Sequence, residues 1–198
     1  MHLRAMIVQE GNLAQHMAVH IGEMNLAAPL CAAAILRART VAPKHGHLAL
    51  ATALQVVLLW GWHTPTVLIA AASSPALMAA MHLSLFAVAA WFWMAVMEHV
   101  RRGSWLPIAA LLITGKLFCL LGVLLTFAPR PIYWQVAFDP SGLATTMTEP
   151  VLADQQLAGL LMLAACPVVY VGAAIIVVRR WLAAADRTPV WGFRGGPA

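Results

Sequence analysis

His16 and His20 lie four residues apart in a mostly apolar stretch. On a helix this spacing puts both imidazoles on one face with Cβ atoms about 6 Å apart, close enough to share one metal ion. Met17 and Met24 accompany them, and Met78, Met81 and Met162 fall at comparable depth in later apolar segments. Imidazole suits copper or zinc, and thioether ligands tilt the choice toward Cu(I). His63, His82 and Asp154 extend the set. The candidate metal ligands are therefore His16, His20, His63, His82, Asp154 and Met17, with Gln155, Glu23 and Lys116 as supporting polar residues. Competing roles exist for some of them. Most of the ten methionines are expected to fill packing gaps, and an acid such as Asp154 in the first turn of a helix is favoured by the helix dipole alone. No nucleophile paired with a base, no glycine-rich phosphate loop and no paired catalytic carboxylates occur, so the expected chemistry is binding and not bond-making; the chain does not read as an enzyme.

The elements that must position these residues follow from composition. Of 198 residues, 62% are hydrophobic and 10% charged, with a mean hydropathy of +0.82. That is too little charge to cover a water-soluble fold, for which about a quarter charged is usual. The sequence reads as an all-α integral membrane bundle forming a single transmembrane domain over 1–198. Scanning for about 20 mainly apolar residues gives about five spans, roughly 14–36, 47–63, 75–98, 106–128 and 151–178. Proline, glycine and charge mark the breaks between them, RARTVAPKHG, HTPTVLIAAASSP, HVRRGSWLP and APRPIYWQVAFDPSGLATTMTEP. The first residues, MHLRAMIVQEGNLAQHM, lack the apolar core and cleavage site of a signal peptide. Cys31, Cys119 and Cys166 are widely spaced within apolar segments, which indicates neither a disulfide framework nor a thiolate zinc site. A net charge of +5 dispersed between apolar runs is not the clustered basic face of a nucleic-acid binder. Membrane lipid is the expected surroundings, and nucleic acid is no partner.

Lysine and arginine set the expected orientation. With the N-terminus outside, nine of the twelve fall in inner segments (Arg37, Arg39, Lys44, Arg101, Arg102, Arg179, Arg180, Arg187, Arg194) and two, Arg4 and Arg130, in outer ones. The positive-inside rule then places the N-terminus outside and the C-terminus in the cytoplasm. At 1.5 Å per residue, His16 and His20 sit about 3 and 9 Å below the outer end of the first span, His82 about 10 Å into the third and Asp154 about 5 Å into the fifth, with His63 at the outer end of the second. Four histidines and a carboxylate from four spans thus share the outer third of the membrane, and ionisable residues there mark a functional site by default. The KHGH histidines, His45 and His47, fall on the opposite side. Glu23 and Lys116 come within a helical turn of each other in depth, and pairing them near the midplane is the expected remedy for two buried charges. Gln155 and Gln156 are placed to hydrogen-bond between helices or to support ligands.

QHMAVH (15–20), APL (28–30), WHTP (62–65), MHLSLFAVAAWFW (81–93), LTFAPRPIYW (125–134) and above all DQQLAGLLM (154–162) resemble, in order, the motifs of the CtaG family of bacterial cytochrome c oxidase assembly factors. The resemblance implies a multi-pass protein of the bacterial cytoplasmic (inner) membrane that matures a haem-copper oxidase of the respiratory chain, as a chaperone handling its copper. Its implied partners are haem-copper oxidase subunits or their copper-loading proteins. The motif residues carried over are His16, His20, His63, His82, Asp154 and Gln155. Two alternatives stand beside copper delivery. One is a bis-histidine haem between the first and third spans, since axial ligation needs only two facing imidazoles; the other is a cofactor-free scaffold that holds oxidase subunits together.

Overall fold

The computed structural model describes residues 13–38, 47–133 and 148–185. His45 and the residues Arg4, Arg39, Lys44, Arg187 and Arg194 used for the charge count lie outside these. Among the described residues the regular structure is entirely helical: α1 (Leu13–Gly22), α2 (Ala28–Ala38), α3 (Leu48–Trp62), α4 (Pro65–Ser73), α5 (Pro75–Arg101), α6 (Leu106–Phe127), α7 (Thr148–Cys166) and α8 (Gly172–Ala185). A wide π turn, Glu23–Ala27, joins α1 to α2, and another, Pro167–Val171, joins α7 to α8. Each sits beside a proline, Pro29 or Pro167, that removes one donor from the helical ladder. Helix continues through both, because in lipid the backbone must satisfy itself internally.

Four helices are long and apolar enough to cross a membrane, Leu13–Ala38, Pro75–Arg101, Leu106–Phe127 and Pro150–Ala185, and the α3–α4 pair makes a fifth if counted as one broken span. These match the expected spans, with two corrections. The last helix runs on to Ala185, beyond the expected end near 178. The segment after WHTP, expected as a linker, is helix α4, turned by 73° from α3. The cause is local. Thr64 precedes a proline and takes an extended conformation (φ −67°, ψ 140°), which ends α3 after 15 residues, about 22 Å and short of a bilayer core. Pro65 then restarts the helix at its first position, where its missing N–H is not needed.

Close contacts at small residues fix the bundle. A Cβ on Gly159 would stand 2.6 Å from the Gly122 carbonyl oxygen, and one on Gly115 would stand 2.9 Å from the Tyr170 Cβ, so α6 can approach α7 and the second π turn only through glycine. Tyr170 anchors the middle of the core, stacked on Trp93 at 5.7 Å and edge-on to Phe118 at 5.5 Å. Its hydroxyl accepts a hydrogen bond from Gln55 Nε2 at 2.9 Å. Packed around this core are α2 and α3 against α5, α6 against α7, and α7 against α1. The last pairing brings the start of α1, the helix that carries His16 and His20, beside Asp154.

Candidate metal centre

His16, His20 and Glu23 recur at i, i+4 and i+7 and so share one face of the first helix. His20 Nε2 lies 3.1 Å from His16 Nε2, and both residues are buried. His63 reaches them from the corner after α3, its ring centroid 5.5 Å from that of His20 and 5.9 Å from that of His16. The corner is held from three sides. The His63 N–H donates to the Leu59 carbonyl at 3.2 Å, His63 Nδ1 lies 2.7 Å from the same oxygen, and the Tyr133 hydroxyl donates to the His63 carbonyl at 2.7 Å. Burial pushes the Tyr133 phenol up to about 12, so it stays a donor. His82, in the third turn of α5, stacks on His20 with centroids 4.5 Å apart and 24° between planes. Near it, Trp62 Nε1 donates to Ser84 Oγ at 3.0 Å, tying the end of α3 to α5.

Hydrogen bonding then decides which nitrogens are free. A carbonyl only accepts, so His63 Nδ1 carries the proton toward Leu59, and Nε2 of the neutral ring keeps its lone pair. That Nε2 is buried and makes no hydrogen bond, and neither does the buried His20 Nδ1, which has only the Glu23 carboxylate at 3.5 Å. A buried, unpaired polar atom is costly, and a histidine held through one nitrogen with the other free is the usual form of a metal ligand. Ring nitrogens of His16, His20 and His63 all lie within 4.8 Å of one another, as do the ligand atoms of His20, Glu23 and His82. Two donors about 2.05 Å from a tetrahedral ion lie about 3.3 Å apart. The 3.1 Å between the His16 and His20 nitrogens is already near that edge, and a His63 ring nitrogen lies within 4.8 Å of both.

The remaining polar residues take other places. Asp154 caps the first helix from α7: its Oδ2 accepts from Leu13 N at 2.7 Å, and both carboxylate oxygens lie 3.4 Å from Ala14 N. Gln155 accepts from Ile132 N at 2.6 Å and donates to the Leu125 carbonyl at 3.1 Å, holding the segment before Tyr133 against α7. Met17 is buried in the core. The expected pairing of Glu23 with Lys116 does not form. Glu23 instead meets His82 Nδ1 at 3.0 Å and His20 Nδ1 at 3.5 Å. Lys116 is exposed on α6, with no described carboxylate within 4.0 Å. Depth alone placed the two residues together, whereas the inward neighbours Thr114, Gly115 and Phe118 turn Lys116 to the other side of α6. Two residues went unremarked in the sequence, Tyr133 and Leu59, which position His63 through main-chain contacts. The Glu23 contact was signalled by the i, i+4, i+7 spacing.

The sequence model of the cytochrome c oxidase caa3 assembly factor family (Caa3_CtaG) matches residues 8–184, about nine-tenths of the chain and every site residue named above. No curated protein and no solved structure gives a significant match.

Proposed function

Because the chain belongs to the cytochrome c oxidase caa3 assembly factor family, we propose that it serves oxidase assembly by binding copper through His16, His20 and His63 and releasing it to an oxidase subunit or a copper-loading partner. The observation that carries this reading is that His63, whose buried Nε2 makes no hydrogen bond, shares a three-histidine cluster with His16 and His20. Neutral nitrogen donors in an apolar pocket suit Cu(I), which keeps its low charge in the membrane. His82 stands by as an exchange ligand for loading and release. Asp154 contributes by capping the helix that carries two of the ligands. The nine-to-two distribution of basic residues supports a site on the outer side of a bacterial cytoplasmic membrane.

Haem fits the same residues less well. A porphyrin needs a flat slot between its two axial imidazoles, whereas the His20 ring lies only 4.4 Å from that of His16 and 4.5 Å from that of His82, which leaves no room for a macrocycle between them. The test is made in cells limited for copper. His16→Ala, His20→Ala or His63→Ala should lower cytochrome oxidase activity and be partly rescued by added copper, since mass action refills a weakened site. His47→Ala, at the far end of α3, is the control. Full oxidase activity in the His16 and His63 variants would leave the scaffold role in place of copper handling.

A further inference from the structure

We infer that the cluster holds two cation positions sharing His20, the second formed by Glu23, His82 and the Nδ1 of His20. This rests on the copper reading for the first position, and three observations separate the second from it.

The two nitrogens of His20 face different neighbours. Nε2 lies 3.1 Å from His16 Nε2, while Nδ1 lies 3.5 Å from Glu23 Oε2. His20 is only 3% exposed, and its Nδ1 makes no hydrogen bond, leaving a buried polar atom aimed at the carboxylate. Glu23 Oε2 in turn lies 3.0 Å from His82 Nδ1. The two separations, 3.5 and 3.0 Å, bracket the edge of about 3.3 Å expected between donors on one tetrahedral ion.

Donor chemistry and access also differ. His16, His20 and His63 offer three nitrogens, all buried. The second group adds a carboxylate oxygen, and His82 and Glu23 are 24% and 29% exposed. A mixed nitrogen and oxygen set favours a divalent ion such as Zn(II) or Cu(II) over Cu(I). The carboxylate also offsets charge that three imidazoles leave uncompensated. Simultaneous filling makes His20 a bridging imidazolate, so loading the second ion releases the remaining ring proton to solvent.

The test uses full-length protein in detergent, stripped of metal, with Cu(I) and Co(II) as probes. The visible bands of Co(II) report tetrahedral ligation. Wild-type protein already loaded with Cu(I) should bind one further equivalent of Co(II). Glu23→Gln should keep Cu(I) and weaken Co(II) by at least about tenfold. Glu23→His, which retains a ligating atom, should keep Co(II) binding and guards against a folding defect in the glutamine variant. His63→Ala should lose Cu(I) tightness and still bind Co(II). The second position is refuted if Cu(I)-loaded wild type takes up no Co(II), or if Glu23→Gln and His82→Ala bind it like wild type. It is equally refuted if Glu23→Gln only weakens a single equivalent, since Glu23 then merely orients His82. Failure of the copper reading looks different: no tight Cu(I) binding in wild type, with Co(II) uptake by the metal-free protein still dependent on Glu23.

Discussion

Replacing Asp154 separates two roles that a carboxylate beside four histidines can play. Its oxygens satisfy the first N–H groups of α1, at 2.7 Å from Leu13 N and 3.4 Å from Ala14 N. Those donors have no partner within their own helix. Hydrogen bonds to a charged group contribute about 1.5–3 kcal/mol, and the negative charge at a helix N-terminus adds about 0.3–1 kcal/mol. Asp154→Ala should therefore lower stability by about 2–3 kcal/mol. Asp154→Asn keeps one acceptor for Leu13 N and loses the charge, so about 1 kcal/mol is expected. The assay is denaturant unfolding of the purified protein in detergent, followed by far-ultraviolet circular dichroism, with bound copper measured on the same samples. Both variants should retain copper under native conditions, because His16, His20 and His63 are untouched. Two variants as stable as wild type but without copper would refute the reasoning and make Asp154 a ligand.

Gly159→Ala should force α6 and α7 apart, because its Cβ meets the Gly122 carbonyl oxygen at 2.6 Å; a loss of about 1–3 kcal/mol is expected in the same unfolding assay. Tyr133→Phe removes the hydrogen bond to the His63 carbonyl and should cost about 1 kcal/mol, with copper affinity falling as the corner loosens. The same phenol gives an alkaline signature. Its folded pKa, about 12, stands above the unfolded value near 10, so its contribution is complete below about pH 10 and is lost as pH rises toward 12; Tyr133→Phe should flatten that loss in a pH series of melting temperatures. Finally, Lys116→Met should not restore yield or stability to Glu23→Gln, because the two side chains do not meet; rescue in the double variant would reinstate the pair.

The histidine convergence was legible because it depends on depth, which span ends and residue counts supply. His16, His20, His63 and His82 come together from two helices and a corner as their depths require. What depth cannot supply is azimuth. Only 28–50% of each long span's most apolar window is buried, the rest facing outward, and both surroundings accept leucine and valine equally. The polar-against-apolar stripe that orients a helix in a soluble protein is therefore weak here. Lys116 was misplaced for this reason. Glu23 escaped notice as a neighbour of the histidines although it lies on the same stripe as His16 and His20. The bend at Thr64–Pro65 hid for a different cause: HTP followed by SSP carries the marks of a loop, and the proline that ends one helix also begins the next. Both π turns are packing solutions beside prolines, with no sequence mark of their own.

Copper analysis of the purified, full-length protein bears most directly on the central claim. Wild-type protein should be colourless and bind Cu(I) tightly enough to keep at least about one equivalent through purification, whereas His63→Ala, deprived of a buried nitrogen that makes no hydrogen bond, should lose it while remaining helical. A red protein with a Soret band, or a His63→Ala variant that retains wild-type copper, would contradict the account.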